Sequence, residues 1–218
     1  MEVVDMESTS TRMVAGGGSD PAEHLIAVDP AMVRIVKAVG PITFRPPAAD
    51  AFNALARSIV FQQLAGKAAL AIHTRFAALF DGTPTATKVL QAEASALRGC
   101  GLSAGKTAAL RDLALKAADG TVPLERIAEL EDEEIITRLT TVRGIGRWTA
   151  QMFLIFHLHR PDVWPVDDFA VGKGYAIIHR LAEAPKPREL LRCGEIYRPV
   201  RSAAAWYCWR VLETTLPT

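Results

Sequence analysis

The chain has 218 residues, half of them hydrophobic, which is enough for one or two compact cores and too few for a large multidomain assembly. Its 25 basic and 24 acidic residues leave a formal charge of +1, so a polybasic tail protein is excluded and nothing pulls the whole chain toward nucleic acid or membrane. Any electrostatic specialisation must be local. Apolar runs such as 152–156 fall far short of the roughly 20 residues that a membrane span needs, and the acidic start is unlike a signal peptide. Cys100, Cys193 and Cys208 contain no C-x-x-C pair and build neither a disulfide framework nor a four-thiolate metal or iron–sulfur site. The expectation is a cytoplasmic protein with no membrane partner.

Residues 1–20, with a Ser/Thr run and Gly16-Gly17-Gly18, carry too little apolar surface to repay the entropy of ordering and read as a flexible leader. Residues 21–218 read as one module. Apolar residues recur there at three and four rather than at two, which predicts helices almost throughout. Asp29-Pro30 caps a helix that runs through Val39 and stops at Gly40-Pro41. Further helices are predicted over 50–64 and 66–80, with a turn at 81–84, and then over 87–97, 103–118, 124–129, 132–139 and 147–158. Pro161 and Pro165 hold an extended connector, Asp167-Asp168 opens another helix, and two more cover 187–196 and 199–212. The fold class is all-α. Charge is uneven along it: residues 125–134 carry six acidic side chains, whereas 141–218 hold eleven Lys/Arg against seven Asp/Glu.

The basic part contains Val142-Arg143-Gly144-Ile145-Gly146-Arg147-Trp148. Gly144 and Gly146, one apolar residue apart between two helical patterns, predict a tight hairpin over about 139–150 whose backbone N–H groups sit at the start of the second helix. Such a bend can hold a phosphate oxygen, with Arg143 and Arg147 adding charge-assisted contacts. An ordinary helix-to-helix turn is the competing reading. Twenty residues after Trp148, Trp164-Pro165-Val166-Asp167-Asp168-Phe169 brings two adjacent carboxylates to the head of a helix.

In these residues the chain resembles the helix-hairpin-helix DNA glycosylases, specifically the AlkA-type DNA-3-methyladenine glycosylases II. The G-I-G-x-W-T-A hairpin and its spacing to the second Asp carry the likeness, together with Arg57-Ser58-Ile59-Val60-Phe61-Gln62-Gln63-Leu64-Ala65-Gly66-Lys67 and Arg198-Pro199-Val200-Arg201-Ser202. It runs in order from about residue 30 to 215 and lacks the mixed α/β amino-terminal domain of longer members, as a short form would.

The resemblance implies two helical lobes flanking a cleft, double-stranded DNA with alkylated bases as partner, and a base excised after being turned out of the helix. Asp168 matches the family's catalytic aspartate, and Asp167 is expected to cap the helix, though spacing alone does not choose between them. Trp148, Met152 and Trp206 are base-pocket candidates, with Trp209 and Phe44 behind them; Met152 stands where an aromatic is common. Gly144, Gly146, Arg143 and Arg147 are expected on DNA, as are Lys67 and either Gln63 or Leu64, the candidates for the wedge that fills the gap of an extruded base. Lys106 is a further phosphate candidate, solvated lysine being the default for it and for Lys67.

Family members that also cut the strand carry a lysine at the Trp148 position, so the resemblance implies a monofunctional hydrolase. No cofactor is required on this reading; one Na+ or K+ ion on the carbonyl oxygens of Thr140, Val142 and Ile145 is implied with DNA present. A monomer suits an enzyme that scans DNA. The alternative is a helix-hairpin-helix module that binds DNA or marks lesions without catalysis. Gly-Leu-Ser-Ala-Gly-Lys-Thr at 101–107 imitates a phosphate-binding loop, but Cys100 stands where its first glycine belongs.

Overall fold

The computed structural model describes residues 11–12, 20–44 and 50–214. Twelve α-helices are present among them: α1 (Pro21–Val28), α2 (Met32–Val39), α3 (Ala51–Phe61), α4 (Gly66–Ala78), α5 (Ala86–Gln91), α6 (Ala94–Gly99), α7 (Ala104–Ala118), α8 (Asp132–Thr140), α9 (Arg147–Phe156), α10 (Phe169–His179), α11 (Pro187–Cys193) and α12 (Arg201–Arg210). Single 3-10 turns occupy Ile127–Glu129, Gly194–Tyr197 and Val211–Glu213. Two strands of two residues, β1 (Thr11–Arg12) and β2 (Thr43–Phe44), pair antiparallel with Thr11 opposite Phe44. The fold is all-α. Most of the expected leader lies outside the described residues. No helix among the described residues is long and apolar enough to cross a membrane.

Short polar side chains set several of the helix starts. Asp50 accepts from Asn53 N–H, Thr85 from Lys88 N–H and Ser103 from Lys106 N–H, each satisfying a donor that the first helical turn leaves open. The helix α1 was not anticipated, although Asp20-Pro21 carries the same signature as Asp29-Pro30: Asp20 accepts from Ala22 N–H and Pro21 fills the first turn. The helix predicted over 87–97 is two helices, because Ala92 and Glu93 are extended between α5 and α6. The segment predicted over 124–129 winds only as the 3-10 turn, and the helix predicted over 50–64 ends at Phe61. The phosphate-loop imitation is disposed of by α7, which Ser103 caps and which contains Gly105, Lys106 and Thr107.

The chain divides into two units, one of residues Met1–Pro46 with His159–Thr218 and the other of Pro47–Leu158. In the second unit, Leu55 and Ile59 of α3, Leu110 and Leu113 of α7, Leu139 of α8 and Leu154 of α9 are fully buried. In the first unit α10 packs on α12, with Gly174 against the backbone of Cys208: a Cβ built there would lie 1.9 Å from the Cys208 carbonyl oxygen. A buried polar group ties the same unit together. Asp29 Oδ2 accepts from the Tyr197 hydroxyl at 2.6 Å and bonds His179 Nε2 at 2.8 Å. Burial alone would raise the pKa of Asp29, yet the bonds from Tyr197, His179 and Ala31 N–H outweigh it and hold the carboxyl below its ordinary value. Its contribution is therefore present above the ordinary carboxylate range and lost as pH falls through the lowered value.

Candidate functional site

The hairpin joins α8 to α9 in the second unit. Ile145 N–H donates to Val142 carbonyl at 3.0 Å and closes the bend, and Gly144 takes φ 79°, a backbone conformation that disfavours any side chain. The buried side chains of Val142 and Ile145 root the loop, while Gly144 and Gly146 are exposed. Among the described residues no acceptor takes the N–H of Gly144 or of Gly146. Gly146 is also the N-cap of α9 and supplies no capping side chain. Two donors without a protein acceptor therefore lie on exposed residues at the positive end of a helix, an arrangement suited to an anion.

The α7 helix holds the first limb of this hairpin. Asp112 Oδ2 accepts from Arg143 N–H at 2.7 Å and from Lys116 Nζ at 2.8 Å, and Lys116 Nζ also donates to the Thr141 carbonyl. Burial would raise Asp112, but the bonds from Lys116 and Arg143 overcome it and keep the carboxyl below its usual range. The side chain of Arg143 is exposed. Arg147 is bidentate on Glu133, at 3.0 and 2.5 Å, so a phosphate contact would exchange an exposed ion pair, typically worth under ~1 kcal/mol, for another partner. The Val142 carbonyl, one of the three implied cation ligands, keeps a second lone pair beside its turn bond. The Lys116 ammonium is seated on the neighbouring Thr141 carbonyl.

The turn between α3 and α4 is tied to the hairpin. Gln62 Nε2 donates to the Gly144 carbonyl at 2.9 Å, Gln63 adopts φ 54°, and Leu64 is 40 % exposed rather than packed in the turn. Lys67 is exposed on the first turn of α4. Lys106 is not a solvated lysine: its ammonium donates to the carbonyls of Val60 and Gln62 at 2.6 and 2.7 Å, and burial lowers its pKa. The reason is local, since the end of α3 leaves carbonyls that a cation satisfies. On α9, Trp148 is 48 % exposed and Met152 half-buried.

Asp168, Phe169 and Trp206 belong to the first unit. The sequence assigned the cap of α10 to Asp167; the structure assigns it to Asp168, whose Oδ1 accepts from Ala170 N–H at 2.8 Å and Val171 N–H at 3.0 Å, while Asp167 is exposed. The chain reaches Asp168 through a pinned connector. Ser202 Oγ accepts from Val163 N–H at 2.9 Å and donates to the Arg160 carbonyl at 2.6 Å, and Arg201 grips Asp162 through two nitrogens at 2.7 and 3.1 Å. Trp164 is buried and donates Nε1–H to the Leu190 carbonyl at 2.8 Å. The Arg198–Ser202 segment thus positions the stretch before Asp168. Trp206 is buried edge-on to Tyr207, with the Arg210 guanidinium 5.3 Å from its ring centre. Trp209 is half-buried, and the side chain of Phe44 lies outside the described residues.

One residue beside the site escaped the sequence reading. Phe169 follows Asp168 and is 79 % exposed. The signal was available: the buried stripe of α10 runs through Val171, Tyr175 and Ile178, and Phe169 falls off it by two positions.

Residues 56–199, most of the chain and spanning both the hairpin and Asp168, match the family described as "HhH-GPD superfamily base excision DNA repair protein". The chain belongs to the HhH-GPD superfamily. A curated relative, DNA-3-methyladenine glycosylase 1 of Schizosaccharomyces pombe, is 40% identical over 86% of this chain and 84% of its own length. DNA-3-methyladenine glycosylase 2 of Escherichia coli is 28% identical over 75% of this chain and 58% of its own. Among solved structures, the S. pombe 3-methyladenine DNA glycosylase in complex with abasic DNA superposes with a TM-score of 0.76 at 39% identity, covering 88% of this chain and 96% of that one. A DNA-3-methyladenine glycosidase from Bacillus halodurans gives a TM-score of 0.81 at 29% identity, covering 88% of both chains. As an HhH-GPD protein, the chain carries its two-glycine hairpin and its Asp168 inside the matched segment.

Proposed function

We propose that this HhH-GPD protein is a monofunctional DNA-3-methyladenine glycosylase of the type II class, acting as a monomer on alkylated purines in duplex DNA. The observation that carries the reading is Asp168, a buried carboxylate whose orientation is set by two backbone N–H bonds at the head of α10. Breaking an N-glycosidic bond leaves positive charge on the sugar, and a fixed carboxylate beside C1′ stabilises that state more than the neutral ground state. The same group can orient or deprotonate the attacking water. A purine methylated at N3 or N7 is already cationic and leaves readily, so no strong general acid is needed.

The other residues have matching tasks. Open donors at Gly144 and Gly146 take a backbone phosphate, with Arg143 beside them and a Na+ or K+ ion on the carbonyls of Thr140, Val142 and Ile145. Leu64 or Gln63 fills the gap left by the extruded base. The half-exposed indole of Trp148 offers a face to a cationic base, an attraction of about 0.5–2 kcal/mol. An indole has no amine, so this position forms no Schiff base with the sugar.

The test is incubation with methylated duplex DNA, followed by a panel of single-lesion duplexes, with analysis of the freed bases. Release of 3-methyladenine and 7-methylguanine is expected, leaving an uncut abasic strand; absence of any freed base contradicts the reading. A second reading, a DNA-binding protein without catalysis, draws on the cap itself, because capping alone accounts for an aspartate at position 168. The same assay separates the two.

The hairpin gives its own prediction. Replacing Asp112 by Ala removes the acceptor for Arg143 N–H, a bond of about 1 kcal/mol, so affinity for duplex DNA should fall roughly fivefold. No phosphate contact is lost, so the slope of log affinity against log salt should not change, whereas Arg143→Ala should reduce it by about one contact. Because the Asp112 carboxyl is held below its ordinary value, the anchor is present above that range and lost as acid protonates it. Fluorescence anisotropy across salt and pH reads both effects.

A further inference from the structure

A continuous chain of bonds runs from α7 through the turn after α3 to the hairpin. Lys106 Nζ donates to the carbonyls of Val60 and Gln62 at 2.6 and 2.7 Å. The side chain of the same Gln62 then donates Nε2–H to the Gly144 carbonyl at 2.9 Å. The Ala109 Cβ supports the bend from below, 3.6 Å from where a Gly144 Cβ would sit. Farther along the same helix, Asp112 and Lys116 hold Arg143 N–H and the Thr141 carbonyl.

We infer that Lys106 and Gln62 are positioning residues that lock the Gln62–Leu64 turn to the two-glycine hairpin, so that a wedge and a phosphate grip meet DNA as one rigid element. This role rests on the proposed action on duplex DNA and goes beyond it by giving these two residues the register between its parts.

Three physical features support it. Gln63 is held at φ 54°, a conformation unfavourable for a non-glycine residue that persists only where the surroundings impose it. The carbonyls that end α3 carry partial negative charge, and an ammonium bonded to two of them fixes the direction in which the chain leaves the helix. Leu64, next along, is 40 % exposed and so is directed by the backbone rather than by packing. Without Lys106 the turn keeps its sequence but loses the contact that aims it. Without the Gln62 amide the turn and the bend move independently.

The test uses the whole chain with Lys106→Met and, separately, Gln62→Glu, which keeps shape while replacing the donor by an acceptor. Two readouts are taken on each: single-turnover base release, and fluorescence of a 2-aminopurine placed beside the lesion, which reports extrusion without requiring chemistry. Each variant should extrude and release a base from fully paired duplex about tenfold to hundredfold less well, since turning a base out costs a few kcal/mol that an aimed wedge offsets. With the lesion opposite an abasic site, where little pairing must be broken, each should stay within about threefold of the parent. Lys106→Arg, which can still reach two carbonyls, should recover most of the loss.

Equal losses on both substrates, or none on either, overturn the inference, and an unchanged melting temperature in Gln62→Glu guards against misfolding. If the parent extrudes but frees no base, the proposed chemistry fails while the fluorescence still decides the coupling. If the parent does not extrude either, both fail.

Discussion

Replacing Asp168 by Asn should lower the single-turnover rate of methylpurine release by about 100-fold to 10,000-fold while leaving folding and DNA affinity almost unchanged. Asparagine is chosen for a structural reason. Oδ1 of Asp168 caps α10 through Ala170 and Val171 N–H, and Asn caps a helix about as well as Asp. The substitution therefore removes the charge and keeps the bond. An Ala at this position would confound the two, because losing the cap alone costs about 1 kcal/mol. Asp167, exposed and outside the cap, serves as the control, and Asp167→Asn should release base at nearly the parental rate. Equal rates for Asp168→Asn and the parent would remove the carboxylate from the chemistry.

A second large effect is expected at Gly174. Its hypothetical Cβ lies 1.9 Å from the Cys208 carbonyl oxygen and 2.8 Å from the Cys208 Cα, both backbone atoms with no rotamer to yield. Gly174→Ala must push α10 away from α12, a strain of about 3 kcal/mol or more. For a chain of this length that is a fall of roughly 6–12 °C in melting temperature. Gly172, two residues earlier on the same helix, is the internal comparison: a Cβ there meets Leu190 Cδ2 at 3.8 Å, an ordinary contact. Gly172→Ala should be near neutral or slightly stabilising, since Ala favours a helix over Gly by up to ~1 kcal/mol. Because Asp168 caps α10, Gly174→Ala should also slow base release more than it weakens DNA binding. A melting temperature within about 2 °C of the parent would show that the two helices have slack.

The contrast between these glycines shows what a sequence exposes and what it conceals. Gly144 and Gly146 were legible because a G-x-G between two amphipathic patterns has few uses, and Gly144 does adopt the positive φ that such a bend requires. Nothing local distinguishes Gly174 from Gly172, since the difference lies in a helix thirty-four residues away. Helix starts were legible where a short acceptor precedes an apolar run, as at Asp50 and Ser103, and the break at Ala92-Glu93 was not, because no proline or glycine marks it. The neighbours Asp167 and Asp168 are chemically identical, and only the backbone decides which of them reaches Ala170 N–H. Lys106 shows the same limit for a cation. Its partners are carbonyls of Val60 and Gln62, groups that every residue possesses and that no pattern of side chains announces.

The network of α7 bears on how much of the protein serves the site. Lys106, Asp112 and Lys116 direct their hydrogen bonds to backbone atoms of the turn and the hairpin, and Asp112 and Lys116 also pair with each other, so these groups hold the loops in place.

The proposed catalysis turns on a negative group that meets positive charge as it forms on the sugar, and one affinity comparison reaches that step directly. A duplex carrying a pyrrolidine in place of one deoxyribose presents a cation where the transition state has one; a duplex carrying tetrahydrofuran has the same shape without the charge. The parent should bind the pyrrolidine duplex at least tenfold tighter, a difference of about 1.4 kcal/mol or more, and Asp168→Asn should abolish the preference. Equal affinity of the parent for the two duplexes would contradict the account.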